Sequence, residues 1–248
     1  MKIAITLSGL SRTYKKSLPS FNKNILLANQ NHDLDIYLSV WDHTHLRVED
    51  KEKPNEYATD IKKLSEDVLI DIIRSYSPKR YCIMNQYHEI NSFFREHTKK
   101  LIKVIGTPEH IQPNLLIQNG IIAQSHTWYR AFNLIIDSHC NYDLVVKCRF
   151  DLDYREPIIF DNFNNNKVNC FALADQNFKV GDIVFGSNYY IMKTLMHQYH
   201  IDILKCNLRN IKDNYPNVFA EYVFKDYIHQ NNYDINHMSN NLLSVIRE

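Results

Sequence analysis

Two apolar runs, Ile3-Ala4-Ile5-Thr6-Leu7 and Ile36-Tyr37-Leu38-Ser39-Val40, stand on either side of a stretch, about 17 to 29, that reads as a helix. Each run is too short for a helix of its own and rich in strand-forming residues, so each reads as a strand. The pattern continues. Thr59 is placed to cap a helix through about Ser75, with Ile61, Leu64, Val68 and Ile72 on one face and Pro78 beyond its end. Tyr81-Cys82-Ile83-Met84 follows as a third strand. Strands that alternate with helices build a parallel sheet, because parallel neighbours need a long crossover between them.

The stretch from about 119 to 138 carries Ile121, Ser125, Trp128, Phe132 and Ile135 at helical spacing, a broad apolar face suited to covering a sheet. Asp143 to Arg149 is the strand after it, and Pro157-Ile158-Ile159-Phe160, Cys170 to Leu173 and Asp182 to Phe185 read as more strands. Ser187 is placed to cap a helix reaching about 199, and Pro216 fits the first turn of another reaching about 229. No internal repeat or Gly/Ser linker divides the chain. The expected fold is α/β: one domain over 1–248, with a mostly parallel, Rossmann-like central sheet flanked by helices.

Composition narrows the function by exclusion. The 248 residues carry a net charge of +1, so no global field points to nucleic acid as a partner. The five cysteines, Cys82, Cys140, Cys148, Cys170 and Cys206, form no C-x-x-C, so neither a disulfide framework nor a zinc cluster is suggested. The apolar run at the start is short for a signal peptide and no segment approaches transmembrane length, so a cytoplasmic protein is expected.

The segment Asp143 to Tyr154 (DLVVKCRFDLDY) carries the main chemical signal. An interior strand does not tolerate unpaired charge, so Arg149, Asp151 and Asp153 belong where the strand emerges. In open α/β sheets that edge is where ligands bind. Alternation on an extended backbone puts both carboxylates on one side with Leu152 facing away. Two hard oxygen donors so placed suit Mg²⁺ or Mn²⁺, which bind through a carboxylate or two plus substrate phosphates. A solvated turn is the bland alternative. A calcium loop is excluded, because Tyr154-Arg155-Glu156-Pro157 supplies none of the further ligands it needs.

Other residues gather around that reading. In Ser8-Gly9-Leu10-Ser11-Arg12, Gly9 permits close approach to a ligand and Arg12 can pair with phosphate, or the segment is an ordinary strand-to-helix turn. G-x-G-x-x-G and the Walker loop are both absent. Asp42, at the end of the second strand, suits a ribose or base, whereas His43 and His45 lack a third metal ligand. Gln124 lies on the long apolar helix, as a nucleotide contact or a partner for backbone. Asp182 and Glu221 are carboxylates that could activate an attacking hydroxyl, or a turn residue and a paired helix residue. His197 and His200 read as surface or boundary residues. A Ser-His-Asp hydrolase fails for want of G-x-S-x-G.

The opening strand with Ser8 to Arg12, the run YDLVVKCRFDLDY (142 to 154), GDIVFGS (181 to 187) before a helix, and AEYVFKDYI (220 to 228) together resemble the nucleotide-sugar glycosyltransferases of the GT-A type. More narrowly, the chain resembles small bacterial and viral enzymes of surface-polysaccharide synthesis, including WavE-like lipopolysaccharide synthesis proteins. The likeness spans 1 to about 230, and residues from about 43 to 118 carry little of it. It implies a GT-A-like domain with Mn²⁺ or Mg²⁺ bridging a nucleotide diphosphate at Asp151 and Asp153. It further implies that Gly9 and Arg12 line the donor pocket and that Asp182 lies near the acceptor.

The candidate donor-binding residues are therefore Ser8, Gly9, Arg12, Asp42, Gln124, Arg149 and Asp151, the metal ligands Asp151 and Asp153, and the catalytic carboxylates Asp182 and Glu221. Expected partners are a nucleotide-diphosphate sugar donor and a glycan or lipid-linked oligosaccharide acceptor, for capsule or lipopolysaccharide synthesis, at the inner face of the membrane without a spanning segment. A sugar-phosphate nucleotidyltransferase is the alternative, and of its glycine-rich loop only Gly9 and Arg12 are present. A non-catalytic nucleotide- or glycan-binding domain is the third reading.

Overall fold

Period-two burial along the first strand organises the molecule. In β1 (Lys2–Gly9), Ile3, Ile5 and Leu7 join one buried cluster and Ala4 joins another, so the strand is covered on both faces. The structure, a computed structural model, describes residues 1–44, 62–85, 88–89, 121–171, 183–205, 220–238 and 242–246. The other strands of the parallel half are β2 (Asp33–Trp41), β3 (Arg80–Met84) and β4 (Leu144–Cys148). With β6 (Val168–Phe171), β7 (Val184–Ser187) and β8 (Ile235–His237) they form a seven-stranded sheet in the order β3-β2-β1-β4-β7-β6-β8. Only β7 runs against the rest, being antiparallel to both β4 and β6. A separate pair joins β5 (Leu152–Tyr154) to β9 (Leu243–Val245).

Helices α1 (Tyr14–Phe21) and α2 (Glu66–Tyr76) cover one face. Phe21, Tyr76, Phe150 and Tyr154 meet edge-to-face there, with ring centroids 5.4–5.8 Å apart. On the opposite face α3 (Ile121–Ile136) lies across β1, β2 and β3. Beside it runs a helical stretch made of α4 (Tyr189–Met192), a π-helical turn (Lys193–Gln198) and α5 (Tyr199–Leu204), with α6 (Ala220–Gln230) beyond. Trp128 of α3 packs on Phe185, Tyr199 and Phe224, joining sheet and helices in one core. Each such buried side chain is worth about 1.5–3 kcal/mol. Gly186 lets β7 approach this closely, since a Cβ there would stand 3.0 Å from the Val145 carbonyl oxygen and 3.0 Å from Phe163. Among the described residues no helix is long and apolar enough to cross a membrane.

Several boundaries differ from the sequence reading, each for a local reason. The first helix starts at Tyr14 and, past Pro19, which has no N–H to donate, widens into a π turn over Asn22–Leu26. The second helix is capped by Ser65, whose hydroxyl accepts from the Val68 N–H at 3.3 Å; Thr59 lies outside the described residues. Asn188, rather than Ser187, caps α4 through the Tyr190 and Ile191 N–H groups. Ser187 stays in β7 and donates to the Lys167 carbonyl.

Pro157 to Phe160 forms no strand. Side chains and backbone of the first helix take its hydrogen bonds: the Ile158 N–H donates to the Asn24 carbonyl, and Asn29 holds both the Ile158 carbonyl and the Phe160 N–H. A short 3₁₀ turn, Phe160–Asn162, follows.

Candidate functional site

The strand order 3-2-1-4 reverses between β1 and β4, and in open α/β sheets ligands bind outside the carboxyl ends of the strands at such a reversal. Leu7 pairs with Cys148, so Ser8 and Arg149 are the next residues outward on the two strands. Gly9 pairs with Val40, which brings Trp41 and Asp42 to the same edge. Helix α3 also reaches it. The Asp143 N–H bonds the Lys2 carbonyl at the amino edge, so α3 ends there and begins at the carboxyl edge. Gln124, half-buried near that beginning, stands on the site side.

The β1–α1 turn carries hydroxyls that find no partner among the described residues. Ser8, Ser11 and Thr13 are 4%, 1% and 2% exposed, and their hydroxyls have no hydrogen-bond partner among the described residues. A buried polar group left so costs about 1–3 kcal/mol. Gly9, between the first two, has φ +115°, a conformation that side-chain-bearing residues rarely adopt. No described atom lies within 4 Å of where its Cβ would stand. Three hydroxyls in one turn, without a partner among the described residues, are donors that an oxygen-rich ligand would use. Arg12 is half-buried in the same turn.

Across the reversal, β4 does not continue straight into the two carboxylates. It breaks after Cys148, and Phe150-Asp151 form a turn before β5. Arg149 closes that turn with two hydrogen bonds to Asp151, at 2.8 and 2.5 Å, while the Tyr154 hydroxyl donates to the Arg149 carbonyl at 3.1 Å. The carboxylates therefore differ in state. Asp151 is 5% exposed and committed to Arg149. Asp153 is half-buried in β5 opposite Ser244, and its side chain has no partner among the described residues. Cys148 beneath them is no nucleophile, since burial pushes its thiol up to about 12.

A divalent cation here would have Asp153 as its carboxylate ligand, with Asp151 held by Arg149 and fixing the loop. Among the described residues no three His, Cys, Asp or Glu side chains converge as a metal cluster. A magnesium-type ion shared with a diphosphate needs only one or two carboxylates.

The remaining candidates separate. Asp42 is buried, and its carboxylate accepts from His43 Nδ1 at 2.6 Å, so it faces an imidazole within the protein. Asp182 and His45 lie outside the described residues, and Glu221 is placed only as a residue of α6.

Sequence reasoning misplaced one residue and missed its neighbours. His200, read as a surface or boundary residue, is 2% exposed. Its Nδ1 meets the Ser125 hydroxyl at 3.0 Å and its Nε2 meets His126 Nδ1 at 3.2 Å. His126 Nε2 in turn contacts the Glu89 carboxylate, and Trp41 stacks on the His126 ring. The helical face through Ser125 was the sequence signal for this place, and it reads as packing.

Sheet and edge together define an α/β protein with a mostly parallel, Rossmann-like sheet. No protein-family model matches the chain, and no curated protein matches it.

Proposed function

We propose that this protein is a glycosyltransferase of the GT-A type, moving a sugar from a nucleotide-diphosphate donor to a glycan or lipid-linked acceptor in capsule or lipopolysaccharide synthesis, in the cytoplasm at the inner face of the membrane. One observation carries the reading: Ser8, Ser11 and Thr13, in the turn that holds Gly9 at the end of β1, have buried hydroxyls with no partner among the described residues, while beyond the end of β4 the Arg149–Asp151 turn leads into β5 with Asp153. Among the described residues that leaves hydrogen-bond donors on one side and a carboxylate on the other without partners, which supports a metal-bridged diphosphate.

In this reading Asp153 holds Mn²⁺ or Mg²⁺, which when bound neutralises charge on the departing diphosphate. Asp151 keeps Arg149 in place and so holds the loop that carries Asp153. Ser8 and Ser11 donate to donor oxygens, and Arg12 adds a positive charge at the same turn. The test is incubation with a panel of nucleotide sugars and Mn²⁺, following release of the nucleoside diphosphate. Release from one donor, lost on adding EDTA, is expected; no release from any donor and no binding of nucleoside diphosphates in calorimetry would end the reading.

A further inference from the structure

We propose that the turn from Ser8 to Thr13 binds phosphoryl oxygens directly, with no cation between, through the hydroxyls of Ser8, Ser11 and Thr13 and the amino end of α1; that this phosphoryl group is the donor's diphosphate rests on the glycosyltransferase reading. The hydroxyls of this turn differ from their counterparts elsewhere. Among the described residues the other buried Ser and Thr hydroxyls each donate within the protein: Thr6 to the Val146 carbonyl, Ser17 to that of Leu152, Ser39 to the Met84 sulfur, Ser125 to the Ile122 carbonyl, Thr127 to that of Gln124 and Ser187 to that of Lys167. Those of Ser8, Ser11 and Thr13 find no such acceptor.

The local backbone does not account for them either. Short polar side chains in turns ordinarily bond the nearby main chain, and a Thr at a helix N-cap ordinarily accepts from the second or third amide of the helix. Thr13 stands at the N-cap of α1, yet its side chain makes no capping bond. Carbonyls serve instead: the Tyr14 N–H donates to the Ser11 carbonyl at 3.0 Å, and the Lys16 and Ser17 N–H groups donate to the Thr13 carbonyl at 3.0 and 3.1 Å. The three hydroxyls therefore add nothing to the turn that Ala or Val would not, and a ligand is the partner that explains them.

Charge decides the kind of ligand. Hydroxyls alone would suit a sugar as well as an anion, since each can donate or accept. This turn, however, stands at the positive end of the α1 dipole, and the first turn of α1 holds no Asp or Glu, whereas that of α2 holds Glu66 and Asp67. Arg12 lies within the turn, and Lys15 and Lys16 follow in the first turn of the helix. Asp71 of α2, which reaches this end of α1, accepts from the Tyr14 hydroxyl at 2.5 Å and pairs with Lys15 Nζ at 3.3 Å. Ser8 to Thr13 contains no carboxylate to hold a cation, so an anion meets the hydroxyls and the helix end themselves. β1 delivers the turn to the carboxyl edge at the β1–β4 reversal, where an α/β sheet takes its ligand.

The test titrates the full chain with inorganic pyrophosphate in EDTA, read by calorimetry. The parent should bind, and Ser11→Ala and Thr13→Val should each weaken binding about tenfold or more, as for loss of a hydrogen bond to a charged group. Neither substitution changes a charge, so binding to scattered surface lysines would not respond. Each also removes a buried hydroxyl that has no partner, so the denaturation midpoint of the unliganded variant should stay or rise, whereas a hydroxyl that served the fold would lower it on removal. No binding in EDTA, unchanged affinity in either variant, or a lowered midpoint in either overturns the proposal. A panel of nucleotide sugars with Mn²⁺ separates it from the reading it deepens. Hydroxyl-dependent pyrophosphate binding without turnover of any donor supports the phosphoryl site and removes the glycosyltransferase reading. Turnover of a donor, with pyrophosphate affinity indifferent to both substitutions, does the reverse.

Discussion

Arg149 grips Asp151 two residues along the chain, Nε donating to one carboxylate oxygen at 2.8 Å and a terminal nitrogen to the other at 2.5 Å. Asp153, two residues further, has no such partner among the described residues, so two carboxylates of one short segment have divided their roles. The division is measurable. Asp151→Asn strips the charge from a 7% exposed side chain and leaves the Arg149 guanidinium, 30% exposed, facing one neutral amide oxygen and an amide NH₂ in place of a two-pronged carboxylate. That should cost about 1–3 kcal/mol in chemical denaturation. Asp153→Asn should leave stability within about 0.5 kcal/mol of the parent, as for surface changes, and abolish Mn²⁺-dependent nucleotide binding. Equal stability losses in both variants would refute the division.

Gly9 offers a separate test of the β1–α1 turn. Its φ of +115° is strained for any residue with a Cβ, while no described atom crowds the place where that Cβ would go. Gly9→Ala should therefore destabilise through the backbone alone, by about 1–3 kcal/mol. An unchanged denaturation midpoint would mean that the turn adopts an ordinary conformation in solution.

At the opposite, amino edge of the sheet, Asp35 accepts from Lys79 Nζ at 2.6 Å and from the Tyr142 hydroxyl at 2.5 Å, and Tyr142 shares a further hydrogen bond with Tyr37. Burial alone would raise this carboxyl, but the hydrogen bonds from Lys79 and Tyr142 outweigh it and hold it below its usual value. A group depressed in the folded state stabilises above its unfolded pKa, about 3.9, and loses that contribution as pH falls through its folded value. Stability of the parent should accordingly fall as pH drops below about 4, and more steeply than in Asp35→Asn. Parallel stability curves for parent and variant between acid and neutral pH would count against this network.

The parallel half of the sheet was legible because each of its strands has an apolar run long enough to be read. Ile3 to Leu7 and Ile36 to Val40 fall wholly inside β1 and β2. The three-residue strands β5, β8 and β9 carry no such pattern and exist only through their pairing partners. Pro157 to Phe160 shows the reverse error, an apolar run whose backbone is satisfied by Asn24 and Asn29 far away in sequence. In the site, Ser8, Gly9, Arg149, Asp151 and Asp153 were legible because strand ends are local. Glu89, His126 and His200 were not, since 37 and 74 residues separate the partners and only the packing of α3 on β2 and α5 unites them.

Thiol chemistry offers the last test, and it discriminates between two cysteines that the sequence cannot tell apart. Cys140 is half-buried in the turn before β4, and its hydrogen bond with Ser138 lowers the thiol pKa; burial pushes the other way, and the Lys79 ammonium, 3.4 Å from the sulfur, lowers it further. Cys148 is fully buried, and burial pushes it up to about 12. The thiolate is the reactive form, so at neutral pH the native protein should be alkylated by iodoacetamide at Cys140 well before Cys148. Lys79→Met should slow the Cys140 reaction and leave Cys148 unchanged. Peptide mass spectrometry over a time course reads both rates, and labelling of Cys148 at a rate equal to that of Cys140 in the folded protein would contradict the burial of Cys148.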